Sequence, residues 1–145
     1  MNKLVTLLLV PMLLFITACS EEEEDSPLVG RWTLTSISTS FSEYTEELCS
    51  TAGYTWENDE CIVTVDATTE YEDDLTWTFN VDNSFIVSGA NNITGTWSTS
   101  GGTLTLTSDN PSDEELEGTY SVNDNILEFI TDIDGVSATY AFTKQ

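Results

Sequence analysis

Three cysteines are the only thiols in this chain, and no histidine accompanies them. Without an imidazole, neither a Ser-His nor a Cys-His nucleophile can be assembled, and the usual zinc ligand sets are incomplete. Cys49 and Cys61 stand too far apart for a Cys-x-x-Cys redox pair. Outside the cytoplasm two such cysteines in a small domain pair structurally. The bridge would close a short loop, worth about 3 kcal/mol in the chain-entropy picture. Carboxylate pairs are the remaining route to catalysis. Here the acids fall in expected turns and tails, not on apolar faces where burial would raise their pKa. The oxygen-rich stretches 109–115, 123–125 and 132–135 could each supply some calcium ligands, but the full EF-hand spacing is absent. The expectation is a protein with no enzymatic activity, no cofactor and no resident metal.

Cys19 has a different setting. Lys3 supplies a short positive region, Leu4 to Leu14 is almost wholly apolar, and Ile16-Thr17-Ala18 leads into the cysteine. This is the anatomy of an export signal, too short for a stable membrane span. Ile16-Thr17-Ala18-Cys19 resembles a lipobox, the cleavage and acylation site of bacterial lipoproteins. The resemblance implies that residues 1–18 are a signal peptide and that Cys19 carries lipid, palmitate among its acyl chains. Residues 19–27 would then be the acylated cysteine and an acidic linker. The stretch Ser20-Glu21-Glu22-Glu23-Glu24-Asp25 has nothing to bury, and its like charges extend it. From Ser20 to Ser26 it spans at most about 25 Å. Ser20 in place of Asp implies the outer membrane by sorting rules. The acidic run is similar to the export tag of Bacteroidetes surface lipoproteins, which implies exposure on the cell surface.

All 26 acidic residues follow Cys19, against Arg31 and Lys144 alone. Such a balance favours a soluble monomer and opposes binding to nucleic acid or anionic lipid heads. The expected membrane partner is therefore reached through the N-terminal lipid, not through the domain surface.

Residues 28–145 make one domain with room for one core. Their dominant period is two. Leu75, Trp77, Phe79 and Val81 alternate with Thr76, Thr78 and Asn80, and Leu104 and Leu106 alternate with threonines. Val136, Ala138, Tyr140 and Phe142 alternate with Ser137, Thr139, Ala141 and Thr143. Each run has one apolar and one hydroxyl-rich face, as in antiparallel strands wetted on one side. Asp82-Asn83, Ser100-Gly101-Gly102, Asn123-Asp124-Asn125 and Asp134-Gly135 tolerate the positive φ of tight hairpins. Strands are expected near 28–38, 62–69, 74–81, 84–89, 93–99, 102–108, 117–123, 126–132 and 136–143. Gly95-Thr96-Trp97-Ser98 is echoed by Gly118-Thr119-Tyr120-Ser121, one hairpin each. Such a meander closes best as an up-and-down barrel of about eight strands, which removes its edges. A two-sheet sandwich is the rival. Phe41, Tyr44 and Leu48 form a short helical stripe, with Ser40 and Glu43 as a capping box, so a helix and a disulfide loop are expected within 39–61.

Leu28-Val29-Gly30-Arg31-Trp32-Thr33-Leu34 resembles the Gly-x-Trp opening strand of lipocalin-like domains. Asp82-Asn83-Ser84-Phe85, Gly95-Thr96-Trp97 and Gly102-Thr103-Leu104-Thr105-Leu106 are similar to hairpins of lipocalin-like lipoproteins of the Bacteroidetes type. The resemblance spans most of residues 28–143. It implies an all-β antiparallel barrel of about eight strands with Trp32 at its closed end, and a small hydrophobic ligand as partner. The expected lining is Trp77, Phe79, Phe85, Trp97, Tyr120, Phe129, Tyr140 and Phe142, with Tyr54 and Trp56 of the stapled loop covering the mouth. The alternative is a barrel filled by these same aromatics. The protein would then act as a surface interaction or structural lipoprotein, meeting partners or cations through its acidic exterior.

Overall fold

A computed structural model describes residues 26–70, 74–89 and 92–145. Cys19, the expected signal segment and the acidic run lie outside the described residues. The strands are β1 (Gly30–Phe41), β2 (Thr55–Glu57), β3 (Glu60–Asp66), β4 (Thr76–Phe79), β5 (Ser84–Ser88) and β6 (Ile93–Ser100). They continue as β7 (Thr103–Ser108), β8 (Leu116–Asn123), β9 (Ile126–Ile133) and β10 (Val136–Lys144). Two short helices, α1 (Glu46–Thr51) and α2 (Ala67–Glu70), flank the β2–β3 hairpin.

Strands β4 to β10 pair in chain order, β4 joins β1, and β10 returns to β1 from Trp32↔Lys144 to Thr39↔Ala138. Every pairing is antiparallel, so β1 and β4–β10 make a closed eight-stranded up-and-down barrel, and the sandwich is excluded. The architecture is compatible with a lipocalin-like fold.

Strand β1 serves two partners along one edge. Gly30–Thr33 pair with β4, and Ser36–Phe41 pair with β3. The register slips between Leu34 and Ser36, a bulge of the kind that bends a strand. Thr35, inside it, donates its hydroxyl to the Ala141 carbonyl at 3.0 Å. The β2–β3 hairpin thus branches from the wall instead of joining the ring. The Cys49–Cys61 disulfide, both cysteines fully buried, ties α1 to this branch.

The helix falls later than the stripe predicts. Ser40 and Phe41 stay in β1, opposite Ile62 and Cys61. Helix α1 starts only after Thr45, whose side chain accepts from the Leu48 amide. Tyr44 and Leu48 remain exposed, so the expected stripe buries nothing as a unit. Sheet pairing, fixed by the staple at Cys61, overrides a weak helical pattern. The same stretch holds a hairpin that the sequence reading passes over, turning at Asn58 and Asp59, both at positive φ.

The expected turns are where the turn residues place them. Asn83, Asp124 and Asp134 take positive φ, as do Gly101, Gly102 and Gly135. In a meander alternate turns lie at opposite ends. The β4–β5, β6–β7 and β8–β9 turns therefore share one end with the start of β1 and the finish of β10. At the other end lie the β1–β4 excursion, the β5–β6 link, the β7–β8 loop 109–115 and the β9–β10 turn.

The two echoed hairpins explain how the wall curves. Gly95 and Gly118 face inward, where the rings of Phe85 and Phe129 lie against them. A Cβ on Gly118 would stand 2.3 Å from the Ile130 carbonyl oxygen and 2.7 Å from the Phe129 ring. One on Gly95 would stand 2.1 Å from the Thr107 carbonyl oxygen. Only glycine allows strands to approach and bend this closely while a cross-strand ring covers the gap.

Candidate functional site

The barrel interior grades from solid to open. At the end where β1 starts, Leu28, Trp32, Leu104, Leu127 and Phe142 are wholly shielded from solvent. The Trp32 indole N–H donates to the Leu28 carbonyl at 2.7 Å, so the turn before β1 caps the barrel. The Lys144 ammonium sits 5.2 Å from the centre of the Trp32 ring on the same end, an arrangement worth about 0.5–1 kcal/mol. Trp97 packs edge-on to Phe79 at 5.7 Å and donates its indole N–H to the Asn80 carbonyl. Both polar tips of these tryptophans are thus satisfied, as burial requires.

Trp77 spans the middle. Its ring lies 4.5 Å from Phe142, 5.6 Å from Phe129 and 6.1 Å from Phe79. This cluster joins β4 to β9 and β10 across the barrel and fills its centre. Toward the opposite end the inward residues Ile37, Val87, Leu116, Tyr120 and Tyr140 are only partly buried.

There the wall formed by β4 to β8 leaves a pocket of about 260 Å³. Its apolar lining is Trp77, Phe85, Val87, Ile93, Leu106 and Leu116, with Ser108, Asp113 and Glu114 at the rim. Ile93, Ser108 and Asp113 also belong to a wider polar groove, shared with Asn92, Thr94, Asp109 and Asn110. An apolar chamber therefore opens onto a polar vestibule. The volume falls just below the roughly 300–1,000 Å³ of drug-sized sites, which restricts any occupant to a small molecule.

The 109–115 loop is pinned rather than loose. Asp113 accepts from the Ser108 hydroxyl at 2.7 Å and from the Asn110 side-chain amide at 3.0 Å. Asp109 accepts from Thr94 at 2.7 Å, and Glu115 from Thr107 at 3.0 Å. Two carboxylates elsewhere are held below their usual pKa by turn hydrogen bonds, Asp66 by Thr68 and Asp82 by Ser84. Both stand on the surface, away from the pocket. Among the described residues no three cysteine or carboxylate side chains converge as a metal-binding group.

Of the residues expected to face a ligand, Trp77 and Phe85 line the pocket. Phe79, Trp97 and Phe129 are packed in the core, and Tyr120 and Tyr140 lie against it, half-buried. Tyr54 precedes β2 and is exposed, while Trp56 sits within β2 opposite Cys61; neither joins the interior cluster. Val87, Ile93 and Leu116 were not singled out by the sequence, Leu106 was read only as an inward strand residue, and Asp113 and Glu114 only as part of an oxygen-rich loop, not as pocket lining. One signal could have found them: the seven-residue span 109–115 far exceeds a hairpin's need, and such loops mark the functional end of a barrel.

No family model matches the chain, and a comparison with curated proteins found no match.

Proposed function

We propose that this chain is a lipid-anchored, lipocalin-like binding module of the outer membrane, displayed on the cell surface. It is monomeric and non-enzymatic, and it takes a small hydrophobic molecule into the open end of its barrel. The observation that carries the proposal is the apolar chamber floored by Trp77 and Phe85 in a barrel otherwise packed tight. An aliphatic chain entering it gains about 0.8 kcal/mol per buried methylene, set against the entropic cost of association.

Calorimetric titration of the purified protein with n-octanol tests the binding. Saturable uptake, abolished when Leu116→Trp fills the chamber, is the expected result. No heat from octanol, with no small molecule found by native mass spectrometry of protein from its own membrane, would redirect attention to the acidic exterior. Anchoring is tested by Cys19→Ser, expected to release the protein from the membrane fraction and to stop palmitate incorporation. Protease treatment of intact cells checks display: digestion of the domain supports it, and protection places the domain inside the outer membrane.

A further inference from the structure

The open end is a region of one charge sign. Asp113 and Glu114 stand at the rim of the apolar chamber, and Asp109 lies in the vestibule that shares Ile93, Ser108 and Asp113 with it. Asp132 and Asp134 line a further groove that continues from Glu114 along the same end. The basic residues of the described chain are Arg31 and Lys144, and both belong to the opposite end. Arg31 pairs with Thr78 at the start of β1, and Lys144 finishes β10 over Trp32. No lysine or arginine of the described residues therefore offsets the carboxylates at the mouth.

The Asp113 carboxylate is also held in place. Ser108 and Asn110 each donate to one of its oxygens, and an ionised carboxylate has about four acceptor sites. It can accept further bonds without moving, so no ordering cost attaches to a donor arriving at the rim. A carboxylate or phosphate head placed there would meet like charges at close range. An ammonium head would meet complementary ones.

We infer that the chamber takes a small amphiphile with a protonated amine head, its apolar part against Trp77, Phe85 and Leu106 and its ammonium at Asp113 and Glu114. The inference rests on the proposed binding function and narrows it, because it excludes free fatty acids and other anionic amphiphiles. The chamber's size suits a chain or ring system of few carbons, and the vestibule leaves the head hydrated, which keeps the desolvation cost of the ammonium low.

Three probes of equal chain length separate the possibilities: n-octylamine, n-octanol and n-octanoate, titrated calorimetrically into the purified protein at low ionic strength. The amine should bind about fivefold tighter than the alcohol, the gain expected of a partly exposed ion pair, and octanoate weaker than either. Near 1 M salt, where the Debye length is ~3 Å, the amine and alcohol should converge. The double variant Asp113→Asn/Glu114→Gln, which keeps the shape and removes the charge, should erase most of the amine's advantage over the alcohol. Equal binding of all three probes would overturn the inference and leave the apolar binding function standing. Octanoate as the tightest ligand would overturn it too. Failure of all three to bind would remove both.

Discussion

The two ends of this barrel are built from the same strands but to different specifications. At the end where β1 starts, the connections are tight turns, most inward side chains are sealed, and a tryptophan is capped from both chain termini of the barrel. At the other end every connection but the tight β9–β10 turn lengthens, the inward residues are half-buried, and a chamber remains. The same two-residue alternation runs through both. What differs is how much chain is available to cover the ends of the strands. Sealed apolar packing is therefore concentrated at one end, and open apolar space at the other.

Substitutions can break this contrast or sharpen it. The largest effect is expected at Trp32. Trp32→Ala removes a wholly buried ring, its bond to Leu28 and the seat of Lys144, and should cost about 3–5 kcal/mol in urea unfolding. A loss under about 1 kcal/mol would mean that the sealed end is not the stability centre. Next comes the staple: Cys49→Ala/Cys61→Ala should cost about 3 kcal/mol. The loss should fall on the branch, so proteolytic nicking should begin between residues 42 and 60. Gly118→Ala should cost about 1–3 kcal/mol by overpacking against Phe129 and the Ile130 carbonyl, and Gly95→Ala should do the same against Phe85. At the open end Leu116→Ala, in a half-buried position beside existing space, should cost about 1 kcal/mol or less, while enlarging the chamber and weakening octanol binding.

The smallest effect concerns acid. The Asp82 carboxyl is held below its ordinary pKa by Ser84, and that of Asp66 by Thr68. For a depressed carboxyl the stabilisation is complete above the unfolded value, near about 3.9, and is lost as pH falls through the folded value. Melting temperature should therefore drop on acidification below about pH 4, and Asp82→Asn or Asp66→Asn should flatten that part of the curve. An unchanged acid limb in both variants would show that these turns hold no differential proton affinity.

Much of the architecture was legible because its rules are local. Thr76 to Phe79 and Thr103 to Ser108 announce strands by alternation, and Gly101-Gly102 and Asp134-Gly135 announce hairpins by the φ they tolerate. The disulfide followed from the cysteine count and an expected export signal. The short helix within 39–61 was legible, but its start was not, because Ser40 and Phe41 find partners in Ile62 and Cys61, a long-range pairing that no local window contains. The β2–β3 hairpin was hidden because β2 has only three residues, too few to show a period. The chamber was legible only in part: Trp77 and Phe85 were expected to line it and do, but where it opens was not. Phe79 and Phe85 carry the same pattern of alternation and are direct partners on the neighbouring strands β4 and β5, yet one sits in the sealed cluster and the other lines open space. That difference is set by strand tilt and by the loops that cover each end, not by residue type.

The direction in which the chain enters the barrel has a further consequence. Leu28 and Gly30 bring it in at the sealed end, so an anchor at Cys19 would pull that end toward the lipid on a leash of at most about 25 Å. On the proposed reading the mouth would then face away from the bilayer. Cargo would arrive from the surrounding medium and leave to it, as for a collector of dissolved compounds rather than an extractor of membrane lipids.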